Sequence, residues 1–261
     1  MNLFRGILIA WIALHLLSPA GVAADGETPF RYEPPQRLNG TLYEMGSNQK
    51  HVLFKFARTA TRTGSTVNVL REFRYPDDRV AARERVVYDG DNLVSYELDE
   101  LQIDARGIVK VRRDPKDATK GTISFEYFSD TRSGAKPKVN TETLRPDTLV
   151  GDMIAPFLEA HWDDLVKGDV VRCRYVAAAR AETVGFKFVK QSESTWQGKP
   201  VVVVRMVPSS FVIAMLVDPI FFTMEKDAPH HVLQYDGRTT PRIRVGNDWK
   251  DLDATTMFDW N

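Results

Sequence analysis

Hydrophobic and polar positions alternate through most of the first half of the chain. Val52, Phe54 and Phe56 interleave with Leu53, Lys55 and Ala57. Val67, Val69, Phe73 and Tyr75 share a parity against Asn68, Glu72 and Arg74. Val94, Tyr96 and Leu98 alternate with Ser95, Glu97 and Asp99, and Ile123, Phe125 and Tyr127 with Ser124 and Glu126. A period of two turns one face to a core and the other to water, the pattern of an antiparallel sheet. Turn residues separate the strands at Thr63-Gly64-Ser65, Pro76-Asp77-Asp78, Asp89-Gly90-Asp91-Asn92 and Ala105-Arg106-Gly107, so a meander is expected.

The helical period occurs once at length. Leu149, Val150, Met153, Ile154, Phe157, Leu158, Trp162, Leu165 and Val166 form one stripe, opposite Asp152, Glu159, Asp163, Asp164 and Lys167. This predicts a helix at about 147–167, capped by Asp147 or Thr148 and closed by Gly168, with a kink or a division at Pro156. Residues 129–146 read as a long polar loop. After the helix, strands return at Val170–Val176, Val184–Val189, Val201–Val207 and Val232–Tyr235. The fold class expected is mainly β (α+β): a curved antiparallel sheet or half-barrel meander with one main kinked helix packed on it. A single β-rich domain over 40–240 follows, with an extended lead-in at 25–39 and a polar tail at 241–261.

The first residues change the picture of where this domain works. Arg5 precedes an apolar stretch from Ile7 to Leu17, broken by Ser18-Pro19 and followed by Gly21-Val22-Ala23-Ala24. That is the layout of a secretory signal peptide over 1–24, and ~11 apolar residues fall short of the ~20 that span a bilayer. Periplasmic localisation is expected, with secretion into the medium as the alternative. The 35 basic and 35 acidic residues balance, which argues against nucleic acid as a partner. A single cysteine excludes an internal disulfide framework. Cys173 shares the parity of Val171 and Tyr175 and reads as a small core residue.

Candidate chemistry is sparse. There is no Gly-x-Ser-x-Gly elbow, no His-Glu-x-x-His and no phosphate-binding loop. His161, three residues before Asp164, is the nearest thing to an oriented base; His230 and His231 are neighbours that would point to opposite faces of a strand. The acidic group Asp248, Asp251 and Asp253 lacks the spacing of a calcium loop. Lys110, Arg112, Arg113, Lys116 and Lys120 read as a solvated hairpin, with anionic headgroups as an alternative contact. No catalytic residue, metal or cofactor is expected. One segment departs from alternation: Phe211 to Val217 is seven apolar residues in a row between Pro208 and Pro219. It is either a core strand or helix, or the lip of an apolar site.

The stretch Trp162-Asp163-Asp164-Leu165-Val166-Lys167-Gly168, then Asp218-Pro219-Ile220-Phe221-Phe222 and the strand from His231 to Thr240 with its Tyr235-Asp236-Gly237-Arg238, resembles exported bacterial proteins similar to the LolA/LolB periplasmic lipoprotein carriers. The resemblance spans residues 145–240. It implies a half-barrel whose helices cover an apolar cavity that accepts acyl chains, without cofactor or catalytic residues. This chain departs from that pattern in placing no helix before its first strands. The expected function is therefore a soluble binding or carrier protein for a hydrophobic small molecule or lipid, with the membrane surface or an envelope protein as further partners. Met153, Phe157, Trp162, Phe211, Met215, Phe221 and Phe222 are the expected lining. The rival readings are an interaction or structural module of the envelope and a hydrolase built on His161 or the His230-His231 pair.

Overall fold

A computed structural model of the chain describes residues 32–260 apart from Leu216. The expected signal peptide lies outside the described residues. The described chain forms one 15-stranded sheet. The first meander runs β1 (Arg37–Glu44), β2 (Val52–Thr63), β3 (Thr66–Arg74), β4 (Val80–Asp89), β5 (Asn92–Glu100), β6 (Ala105–Asp114), β7 (Asp117–Phe128) and β8 (Lys138–Thr143). The second comprises β9 (Thr148–Leu149), β10 (Val171–Ala177), β11 (Glu182–Trp196), β12 (Lys199–Pro208), β13 (Ile220–Glu225), β14 (Val232–Val245) and β15 (Asp248–Asp259). The two are joined where the ends of the chain meet, β1 against β15, so the spatial order is β8 to β1 and then β15 back to β9. Neighbours are antiparallel except for the short parallel pairing of β9 with β10.

The sheet curves as a half-barrel and is not closed by a backbone ladder. Its two ends still meet through side chains. On β8, Lys138 donates to the Arg180 carbonyl and Asn140 to the Ala181 carbonyl, at 2.7 and 2.9 Å, while Glu142 accepts from the Thr183 backbone N–H at 3.0 Å. Side-chain closure of this kind satisfies part of an edge strand without continuing the sheet.

The helical stripe folds onto the inner face, but as two short pieces. A 3-10 turn at Gly151–Met153 leads into α1 (Ile154–Ala160), and α2 (Trp162–Lys167) follows. The division falls at His161, whose φ of −109° and ψ of 19° leave the helical region. Pro156 does not kink the helix. It is the third residue of α1, where its missing N–H is one of those without an internal partner anyway. Nor do Asp147 and Thr148 cap the start, since Thr148 belongs to β9 and its hydroxyl donates to the Arg145 carbonyl at 2.7 Å. Ile154, Phe157, Leu158, Trp162 and Leu165 join one core with Val67, Val86, Val109 and Phe125 from the first meander and Phe188, Val204 and Met224 from the second. A second cluster, Leu42, Phe54, Phe56, Leu252 and Ala254 among others, fills the junction of the chain's ends.

Three boundaries differ from the sequence reading. The polar tail is instead the long strand β15, bound to β1 on one side and β14 on the other. Between inward Leu252 and Phe258, the inward positions Ala254 and Thr256 are small or polar, which hides the alternation. The loop at 129–146 contains β8, whose residues are nearly all exposed and so carry no apolar parity. The turn expected at Ala105-Arg106-Gly107 is strand β6, where a Cβ on Gly107 would meet the Ala178 Cβ at 3.0 Å. That glycine answers a close approach rather than a bend.

Candidate functional site

Charged residues sit at inward positions of three adjacent strands. On β2, Arg58 continues the buried parity of Phe54, Phe56 and Ala60. On β3, Arg71 continues that of Val67, Val69 and Phe73, and on β4 Glu84 lies between Ala82 and Val86. The register sets them in one cross-strand row: Arg58 opposite Arg71, and Arg71 opposite Glu84. Two guanidiniums placed directly opposite repel, and on a buried face the cost is severe. The remedy comes from the 3-10 turn before α1. Asp152 accepts from Arg58 Nε at 2.7 Å and Nη2 at 3.0 Å, a bidentate pair whose side chains are only 6% and 2% exposed. It also accepts from the Tyr88 hydroxyl at 2.9 Å and lies 3.9 Å from Arg71 Nε.

Each charge in the group is answered. Arg71 Nη1 donates to Glu84 Oε2 at 2.5 Å, and the other Glu84 oxygen accepts from the Thr240 hydroxyl. The remaining donors of Arg58 hold the lead-in, reaching the carbonyls of Tyr32 at 2.6 Å and Glu33 at 3.2 Å and that of Pro35. The Arg71 guanidinium carbon lies 5.3 Å from the Phe56 ring centroid and 5.9 Å from that of Phe73. Burial works against its charge, yet the Glu84 and Asp152 carboxylates hold its pKa above the ordinary guanidinium value. Burial, then the Asp152 charge, raises the Tyr88 phenol well above its usual range.

Above this row lies a cavity of about 150 Å³. Phe56, Phe73, Phe222, Phe258, Ile154 and Val232 give it apolar walls, and Arg71, Glu84, Asp152 and the Tyr175 ring bound its polar end. It reaches the surface beside Pro34 and Arg238, which are exposed. The short parallel pairing of β9 with β10 sets Tyr175 opposite Leu149, two residues before Gly151. A Cβ on Gly151 would lie 2.7 Å from Arg71 Nη1 and 3.6 Å from the Tyr175 hydroxyl, so a side chain here would have to displace the Arg71 guanidinium. Burial, then the Glu84 charge, pushes the Tyr175 phenol up to about 12.

The residues expected to line a site are dispersed. Phe222 lines this cavity. Met153 and Phe157 line a second one of about 170 Å³, whose rim carries Arg145 and Asp147. Trp162 is covered by the His230 ring, stacked at 4.0 Å. Phe221 is half-buried on β13 and lines neither cavity, and Met215 is 65% exposed. The Phe211 side chain lies outside the described residues. The apolar run at 211–217 is therefore not a core strand: it begins with the short helix α3 (Phe211–Ala214), and Ala214 and Met215 face solvent.

The other candidates line neither cavity. His161 Nδ1 is 3.8 Å from Asp164 Oδ2, beyond hydrogen-bond reach, and its ring lies 4.5 Å from that of Phe157. His230 and His231 precede β14 rather than lying in a strand, and His230 has a φ of 64°; His231 stacks on Trp260 at 3.9 Å and meets Glu225 at 3.2 Å. Asp251 and Asp253 pair with Arg238 at 2.6 and 2.9 Å. Cys173 is buried, and burial pushes its thiol up to about 12. Among the described residues, no group of three His, Cys, Asp or Glu side chains could hold a metal ion.

Arg58, Arg71 and Glu84 escape a reading that looks for apolar parity alone, although the signal is present. A charge on the inward parity of a period-two strand must find a partner. Asp152 is harder, because the helical wheel puts it on the polar side and only the 3-10 turn brings it inward.

No family model and no curated protein matches the chain. Among solved structures, that of a beta-barrel-like protein of domain of unknown function DUF1849 from Brucella abortus is similar over 85% of this chain and 92% of that one. The identity is 11% and the TM-score 0.36. These comparisons carry no relationship to the lipoprotein carriers.

Proposed function

We propose that the protein is a soluble periplasmic binding or carrier protein for a hydrophobic ligand, a lipid or acyl compound, held in the cavity above the Arg58–Arg71–Glu84 row. The observation that carries this reading is the cavity itself, about 150 Å³ with apolar walls and an outlet beside Pro34 and Arg238. A dry apolar space of about this volume binds a benzene-sized group. It takes a ring or the first few carbons of a chain, with the remainder leaving through the outlet, rather than a whole drug-sized ligand of about 300 Å³ or more. Export rests on the signal-peptide layout of residues 1–24. Native mass spectrometry of protein purified from its own periplasm tests the proposal. A co-purified apolar compound, displaced by an excess of toluene, is the expected outcome; bare protein that also fails to bind toluene contradicts it.

An envelope interaction module is the second reading, favoured by Met215, which is 65% exposed beside Ala214. An exposed apolar tip of this kind suits contact with another surface.

A further inference from the structure

The polar end of the cavity is asymmetric in what it offers. Both oxygens of Glu84 and both of Asp152 already accept hydrogen bonds. Arg71 is different, since among the described residues only its Nη1 makes a hydrogen bond, to Glu84. A guanidinium has five N–H donors, so most of its capacity remains. The Tyr175 hydroxyl likewise has no hydrogen-bond partner among the described residues, and it lines the cavity. Both groups converge on the bare face of Gly151, 2.7 and 3.6 Å from the position a Cβ would take. The cavity thus presents donors and asks for an acceptor.

Charge decides which acceptor. Arg58 and Arg71 balance Asp152 and Glu84 within one contact network. A ligand carboxylate would add an unmatched negative charge beside two buried carboxylates, whereas a carbonyl oxygen adds none.

Building on the binding function proposed above, we infer that the ligand is an apolar compound with a neutral carbonyl, an ester or amide rather than a free acid, whose oxygen accepts from Arg71 and from the Tyr175 hydroxyl at the face of Gly151. The apolar walls take the carbon chain or ring attached to that carbonyl.

The test uses the full chain and four probes of similar size: methyl benzoate, N-methylbenzamide, benzoate and ethylbenzene. Affinities are measured by calorimetry or ligand-observed NMR. The ester and amide should bind about tenfold more tightly than ethylbenzene, the equilibrium effect of one good hydrogen bond. Benzoate should bind no better than ethylbenzene. In Tyr175→Phe the advantage of the carbonyl compounds over ethylbenzene should shrink several-fold with the melting temperature at neutral pH unchanged, because the lost hydroxyl has no hydrogen-bond partner among the described residues. Equal binding of all the neutral probes would overturn the carbonyl inference and leave the apolar cavity standing. Tightest binding by benzoate would overturn it in favour of an acid. Failure of every probe, ethylbenzene included, would overturn the binding function along with it.

Discussion

Glu84 and Arg85 are consecutive on β4 and face opposite sides of the sheet. Inward, Glu84 completes the row with Arg71, Arg58 and Asp152, where the Arg58 and Asp152 side chains are almost wholly buried. Outward, Arg85 belongs to a square with Glu97, Asp99 and Arg106 across β4, β5 and β6; its closest pairs are Arg85–Asp99 at 2.7 Å and Arg106–Glu97 at 2.8 Å. Both arginines of that square are 41% exposed. Distances in the two groups are alike, but the surroundings are not. On the outer face both guanidiniums and Glu97 reach water, which screens the group although Asp99 is only 15% exposed, and losing a partner costs little. On the inner face each charge depends on its partners, because nothing else compensates its desolvation. Proximity alone says nothing about which ion pairs the fold depends on.

The comparison breaks most sharply at Asp152. Asp152→Ala leaves Arg58 buried and Arg71 facing it across the strands, and should cost about 3–5 kcal/mol in urea unfolding. A loss under about 1 kcal/mol would show that the inner group behaves like the outer one. Alkaline pH probes the same interior. Tyr175 is raised to about 12 from 10.0, and Tyr88 and Tyr96 are raised well above that ordinary value, by burial first and then by nearby carboxylates. The unfolded chain releases these protons near pH 10 while the folded protein retains them. Their contribution is therefore complete below pH 10 and is lost as pH rises above it, for Tyr175 through about 12. Stability should fall by up to ~1.4 kcal/mol per pH unit for each such tyrosine. Urea midpoints between pH 9.5 and about 11.5, repeated in Tyr175→Phe, measure that slope and its reduction. On the outer face, Arg85→Ala should cost less than about 1 kcal/mol, an effect that diminishes further in ~1 M salt. Smallest of all, Met215→Asp should change the unfolding free energy by less than about 0.5 kcal/mol, because the side chain is already in water.

The two faces also differ in how legible they are from the sequence. Alternation announces β2, β3, β5 and β7 because Phe54, Phe56, Val67, Val69 and their counterparts put apolar mass on one parity. It is interrupted in β15, where small or polar Ala254 and Thr256 stand inward between Leu252 and Phe258, and it fails for β8, which has no buried face. Seven apolar residues at 211–217 look like core, yet Met215 faces solvent, since hydrophobicity without a period fixes no orientation. The candidate site was half visible. Arg58, Arg71 and Glu84 occupy inward parities that can be read directly. Their partner Asp152 comes from the 3-10 turn between β9 and β10, and Tyr175 from β10 itself, and long-range approach of that sort leaves no local signal.

The central claim is that the space above this charge row receives an apolar group. Ala155 on α1 lines that space, and Ala155→Phe fills it without touching Arg71 or Tyr175 by substitution. Saturation-transfer NMR with toluene should give a clear binding signal in the unmodified protein and none in the folded Ala155→Phe variant. Absence of binding in the unmodified protein, or an equal signal in both, would contradict it.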